Sequence, residues 1–207
     1  IKPNVLPGAG YMSSIFYGAA SNGNSTGLGY RFNGGNKLVF YGYGAPVLEV
    51  SYTSPVNTWN HMCGVYSTGS QLMYFNGAYM GTTGFTWDIQ PGNFFIGRDL
   101  FNLDHWNGSI DEVVIYNRTL SQNEIRALSG YHPMQVSSWN ISAGASSLKL
   151  QLQADSLSNF ANNASISNWN DDSGNGLNVS QGVGIKQPTF STTGLNGKSS
   201  VLFTKAN

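Results

Sequence analysis

The run Asn170-Asp171-Asp172-Ser173-Gly174-Asn175-Gly176 gathers carboxylates, a side-chain amide and exposed carbonyls into one turn. Closely spaced hard oxygens are what Ca²⁺ accepts, so Asp171, Asp172 and Asn175 are candidate metal ligands. The run lacks the following Glu and the flanking helices of an EF-hand. The same aspartates could instead make Asx-turns, and that alternative stays open. Asp99, Asn102 and Asp104 form a second acidic loop, read as solvated turn residues. Glycoside hydrolysis with retention needs two carboxylates about 5–5.5 Å apart. Asp111 and Glu112 are adjacent, so on one strand they point to opposite faces, and Glu49 stands alone. His61, His105 and His132 belong to no recognisable nucleophile motif, so the chain reads as non-catalytic. Sugar binding uses aromatic platforms beside amide hydrogen bonds. Trp87, Trp106, Tyr79 and Tyr43 lie in or beside Gly-rich loops and are the candidates, while Trp59 and Trp169 sit in strand-like runs and read as core. Cys63, between Met62 and Gly64, reads as a small buried hydrophobe. Six Asn-x-Ser/Thr sequons stand at Asn24, Asn107, Asn117, Asn140, Asn163 and Asn178. About four would arise by chance in a chain this rich in Asn, Ser and Thr, so they mark glycosylation candidates only.

These residues need elements to hold them. Residues 107–130 read as a strand, a tight corner and a short helix. On one extended segment Ile110, Glu112, Val114 and Tyr116 share a face, and Asp111, Val113 and Ile115 the other. Apolar on both faces, it is expected to be covered. Ser121 as N-cap with Glu124 makes a capping box, Leu120 and Ile125 can staple it, and Gly130 ends the helix. Asn76-Gly77 between apolar runs is a hairpin signal, because a type I′ turn needs positive φ at both central residues. Lys37–Tyr41 and residues 47–52 are further strand candidates, separated by breakers at 42–46. Leu148-Lys149-Leu150-Gln151-Leu152-Gln153 alternates strictly, as a half-buried strand does. Many short strands with one helix predict an all-β antiparallel sandwich.

Several of these runs resemble laminin-G-like, concanavalin A-like jelly-roll domains. Residues 108–125 are similar to that family's closing "G-x-I-D-E-V-x-I-Y-N-R-x-L-S-x-x-E-I". Residues 59–66 resemble its "W-x-H-x-x-x-V-Y" strand, residues 72–77 its "L-Y-x-N-G" hairpin, and Phe94-Phe95-Ile96-Gly97 the strand that follows. The resemblance implies a jelly-roll sandwich, and it implies that Asp171 of "D-x-S-G" meets Asp111 of "I-D-E-V" around a structural calcium. The "E-x-D-x-x-E" run of family 16-type glucanases, which share the fold, does not occur. The order of the halves is unusual. Residues 1–130 resemble the later part of such a domain, residues 131–147 read as a linker, and residues 148–207 resemble the first part of one. A partial sandwich exposes unpaired edges and an uncovered apolar face, so the second segment is expected to complete the first, within the chain or, slightly favoured, in a neighbour.

Composition narrows the function. Ten Lys plus Arg balance ten Asp plus Glu, no basic cluster occurs, and only 10% of residues are charged. That argues against nucleic acid as a partner. No apolar run approaches the roughly 20 residues a membrane span needs, and no signal peptide is present. Because the chain opens with Ile rather than Met, it is expected to be a fragment or a processed product, and the missing signal peptide carries no weight. Polarity comes from Asn, Ser, Thr and Gln, the texture of a secreted or surface-displayed β protein. The resemblance then implies a non-catalytic extracellular or cell-surface module for adhesion or for recognising a glycan or surface protein. Alternatives are a surface-filament subunit exchanging strands with copies of itself, or an accessory domain of a secreted polysaccharide-degrading enzyme.

Overall fold

The computed structural model describes residues 1–8, 12–19, 27–34, 37–41, 47–52, 55–67, 69–84, 86, 93–99, 101–130, 148–194 and 198–204. Strands follow one another as β1 (Lys2–Pro3), β2 (Met12–Ala19), β3 (Gly27–Asn33), β4 (Lys37–Tyr41), β5 (Leu48–Ser51), β6 (Met62–Ser67), β7 (Ser70–Phe75), β8 (Ala78–Gly84), β9 (Asn93–Ile96), β10 (Gly108–Ile110) and β11 (Val113–Tyr116). Helix α1 (Gln122–Leu128) comes next, then β12 (Leu148–Leu152), β13 (Asn168–Trp169), β14 (Val179–Ser180), β15 (Thr189–Ser191) and β16 (Ser200–Phe203). The described residues form an all-β antiparallel sandwich with one short α-helix, as the strand pattern predicts.

One layer is the five-stranded sheet β5-β4-β3-β2-β9. Period-two alternation aims Ile15, Phe32, Leu38, Phe40 and Leu48 at a core shared with Met73 and Phe75 of the sheet β6-β7-β8, with Ile110 of β10, and with Trp106. Removing such side chains from water stabilises the fold by roughly 1.5–3 kcal/mol each. Beyond the three-stranded sheet, Val65, Tyr74 and Ile125 form a satellite cluster that docks α1, with Cys63 and Leu120 packed on it. Burial pushes the Cys63 thiol up to about 12, so it is a hydrophobe and not a nucleophile. The helix start is as the sequence predicts: Ser121 Oγ accepts from Glu124 N at 3.3 Å, and Glu124 Oε2 accepts from Ser121 N at 2.8 Å.

The second segment adds strands to the first within one chain. β16 pairs antiparallel with β10, Ile110 opposite Val201, in a sheet ordered β1-β10-β16-β15. β12 pairs with β11, Val113 opposite Leu152. A second core follows, in which Leu150, Leu152, Leu157, Ile166, Trp169, Phe190 and Val201 pack against Phe94, Ile96, Val113 and Ile115 of the first segment.

The segment 110–116 departs from its expected form. Instead of one two-faced strand it is two, β10 and β11, which belong to different sheets and are broken at Asp111-Glu112. Glu112 adopts φ +53°, a left-handed conformation unusual for a residue with a Cβ. Asp111 holds the corner. Its Oδ1 accepts from the Glu112 N–H at 2.8 Å and from the Ala154 N–H at 2.9 Å, so the carboxylate stitches the corner to the end of β12.

Candidate functional site

On the face of the five-stranded sheet opposite the main core, Val39 and Tyr41 are buried, 0% and 6% exposed, and make a small satellite core that Phe95 packs against. On β4 the residues alternating with Leu38 and Phe40 are Lys37, Val39 and Tyr41, and Phe95 of β9 packs beside Val39 and Tyr41. Each ring carries a guanidinium: Arg31 of β3 stands 4.1 Å from the Tyr41 centroid, and Arg98 stands 4.1 Å from that of Phe95. Such contacts are worth about 0.5–1 kcal/mol when exposed and roughly 2 when desolvated. Tyr41 Oη lies 3.1 Å from Ser14 Oγ, which fixes the ring. Arg31 meets Asp104 at 3.9 Å, and Lys37 meets Glu49 at 3.3 Å.

A loop from Gly97 to Trp106 borders this face; Leu100 within it lies outside the described residues. Its base closes through the Trp106 N–H donating to the Gly97 carbonyl at 2.8 Å. Gly97 has φ +75°, and a Cβ there would stand 2.5 Å from Phe203 Cδ1, so β16 leaves space for glycine alone. The acidic residues are not all solvated, as the sequence suggested. Asp99 is 7% exposed, and its Oδ1 accepts from the Leu103 N–H at 2.8 Å and more weakly from the Asp104 N–H at 3.4 Å. A carboxylate folded back on amides makes the loop rigid. Its tip presents Phe101, 45% exposed, and Leu103, 71% exposed. Arg98 joins the two parts, lying over Phe95 and donating to Asn102 Oδ1 at 3.3 Å.

The sequence-predicted aromatics do not assemble here. Trp106 is a correction. It is 1% exposed and stacks on Phe32 at 5.8 Å, so it fills the core rather than offering a platform. Tyr79 is 48% exposed but packs edge-on against Tyr74, on the side of β7 facing α1 and away from the main core. Tyr43 and Trp87 lie outside the described residues. Phe101, Arg98 and Arg31 went unrecognised as site residues because isolated cations and a lone Phe in a loop carry no motif.

The oxygen-rich turn acts as a clasp on β12. Asp171 Oδ1 accepts from the Gln151 N–H at 3.0 Å and the Ser173 N–H at 2.8 Å, while Oδ2 accepts from the Leu177 N–H at 3.0 Å and Ser173 Oγ at 2.9 Å. Asn175 Nδ2 donates to the carbonyls of Leu148 and Lys149, and the Asp172 N–H donates to that of Gln151 at 2.7 Å. Desolvation alone would raise the Asp171 carboxyl, but these donors bring it down to about 2. Asp111 goes the other way: burial raises its carboxyl to about 6 against the pull of its two amides. The Asp111 carboxylate, both oxygens of Asp171 and the Asn175 amide thus bond backbone groups, while Asp172 contributes its backbone N–H. Among the described residues no set of three or more His, Cys, Asp or Glu side chains is placed to hold a metal.

The sequons are placed unequally. Asn24 and Asn140 lie outside the described residues. Asn117, Asn163 and Asn178 are exposed, although Asn178 Oδ1 accepts from the Asp171 N–H. Asn107 Oδ1 accepts from Asn4 Nδ2 at 3.2 Å, and Ser109 of its sequon is 3% exposed within β10. Among the described residues no helix is long and apolar enough to cross a membrane.

A laminin G family model of the concanavalin A-like lectin/glucanases superfamily matches residues 1–126. The chain is similar in fold to a proposed carbohydrate-binding protein from Bacteroides ovatus ATCC 8483, with TM-score 0.60 and 15% identity, over 100% of this chain and 52% of that one. It thus spans about half the length of that relative. A heptameric SAP-like pentraxin from Limulus polyphemus is matched at TM-score 0.45 and 17% identity, over 60% of this chain and 65% of that one. An S-layer domain-containing protein of Clostridium thermocellum ATCC 27405 (residues 221–444) is matched at TM-score 0.33 and 20% identity, over 62% and 68%. No curated protein matches the sequence significantly.

Proposed function

We propose that this chain, which belongs to the concanavalin A-like lectin/glucanase superfamily, is a non-catalytic glycan-recognition module that binds at the loop 97–106 bordering its five-stranded sheet. One observation carries the reading. Phe95, half-buried under the Arg98 guanidinium, lies beside a loop whose tip presents Phe101, 45% exposed. Sugars present apolar C–H faces and polar edges, which exposed rings and fixed donors match. The fold likeness to a proposed carbohydrate-binding protein supports the same reading. Non-catalysis is supported by how the acids of this face are spent: Glu49 on Lys37, Asp104 on Arg31, and Asp99 on backbone amides. A glycosidase needs two carboxyls free to flank the scissile bond. A polarity carried by Asn, Ser, Thr and Gln, with 10% charged residues, suits a module working outside the cell or at its surface.

A glycan array probed with the full chain tests the proposal. Phe101→Ala is expected to lower affinity for the best ligand by roughly 1–2 kcal/mol, about fivefold or more, with an unchanged melting temperature. Absence of binding to every glycan, or Phe101→Ala binding like the parent, would overturn it. Release of reducing ends from the bound glycan would overturn the non-catalytic part.

A further inference from the structure

The cations on this face differ in how their charge is met. Arg31 has the Asp104 carboxylate at 3.9 Å, and Lys37 has that of Glu49 at 3.3 Å. Arg98 is half-buried between the Phe95 ring and the loop, and it donates to the neutral amide oxygen of Asn102 at 3.3 Å. The nearest acid in sequence, Asp99, has its Oδ1 turned to the Leu103 and Asp104 amides. A guanidinium partly stripped of water gains most from an anion, because the fork of N–H donors matches a carboxylate or sulfate in two parallel bonds. The Phe95 ring 4.1 Å away and the bond to Asn102 restrain that fork, which lowers the entropy lost on pairing.

We infer that the ligand is an anionic glycan, and that Arg98 reads a carboxylate or sulfate on a sugar unit whose apolar face rests on Phe101. This rests on the reading of the loop 97–106 as a sugar site and names its ligand class. Burial lowers the Arg98 pKa from its ordinary value, opposed by the Asp99 charge, which is the mark of a cation carrying a desolvation cost. An anion bound there would relieve that cost, so affinity should depend on charge as well as on shape.

Isothermal titration of the full chain tests this with two matched pairs: polygalacturonate against its methyl-esterified, uncharged form, and dextran sulfate against dextran. The pairs separate a carboxylate from a sulfate. At least one charged member is expected to bind about tenfold or more tighter than its neutral partner, with affinity falling as salt rises. Arg98→Gln is expected to bring the two within about twofold of each other, the charged member losing the larger share of its affinity. Arg98→Lys, keeping charge without the fork, should fall between. Lys186→Gln, in the second segment, should change nothing. Equal binding of charged and neutral members would overturn the inference while leaving a neutral sugar site. So would equal losses on both from Arg98→Gln, or poly-glutamate binding as tightly as the glycans. Binding of none of the four, with a blank array, would instead sink the sugar site itself.

Discussion

Asp111 and Asp171 both grip backbone around β12, the first at Ala154 and the second at Gln151, yet their carboxyls titrate on opposite sides of the ordinary value. Raised to about 6 in the fold, Asp111 binds a proton more readily native than unfolded, so its contribution is full below about pH 4 and is lost as pH rises through 6. A shift of that size corresponds to up to about 3 kcal/mol. Asp171, held at about 2, contributes above roughly pH 4 and loses that contribution as pH falls toward 2. Burial lowers the His61 imidazole to about 4, which costs stability as pH falls from 7.5 to 5, so Asp111 opposes that fall over the same range while Asp171 steepens the loss below about 4. In a melting-temperature profile, Asp111→Asn is expected to steepen the fall between pH 7.5 and 5, and Asp171→Asn to flatten the loss below about 4; an Asp111→Asn profile parallel to the parent's would refute the assignment. Because Asp171 and Asn175 are committed to β12, millimolar calcium or a chelator should leave the melting temperature within about 1 °C, whereas an ion bound only by the native state would raise it.

Helix α1 illustrates what local chemistry makes legible. Ser121, Glu124, Leu120 and Ile125 are all within one turn or so of the helix start, so the sequence carries the whole cap. Ser121→Ala should cost about 0.5–2 kcal/mol, read as a shift in denaturation midpoint at constant slope. The Asn76-Gly77 hairpin was equally legible, but its docking was not. A Cβ on Gly77 would stand 2.6 Å from Ser129 Oγ and 3.3 Å from the Arg126 Cα, so the turn seats directly on α1. With φ +75° as well, Gly77→Ala should destabilise by more than about 1 kcal/mol, and loosen α1 in hydrogen exchange. The break at Asp111-Glu112 was hidden for the converse reason. Neither Gly nor Pro marks it, and Asp111, beside the left-handed Glu112, is held by the Ala154 amide 43 residues further along. The Asp99 loop misled similarly, since three polar residues in a loop look solvated until the chain closes over one of them.

Across the whole molecule, motif order showed that each segment carries strands the other lacks, but could not show where they would pair. Register depends on contacts such as Ile110 opposite Val201 and Val113 opposite Leu152, between residues that share no local pattern. A fragment of residues 1–130 leaves β10 and β11 without β16 and β12, and Phe94, Ile96, Val113 and Ile115 without cover. It should be aggregated or poorly dispersed by NMR, and a peptide of residues 148–207 added during refolding should restore a dispersed spectrum. A well-dispersed, monomeric 1–130 fragment would show that the second core is dispensable. The same pairing has a consequence on the ribosome. β10 must wait for β16, about 90 residues further along, and at roughly 5–20 residues per second that is on the order of 5–20 s with a bare strand edge exposed to other nascent chains. Holdase chaperones and slow translation thus bear on the yield of this protein more than its final stability does.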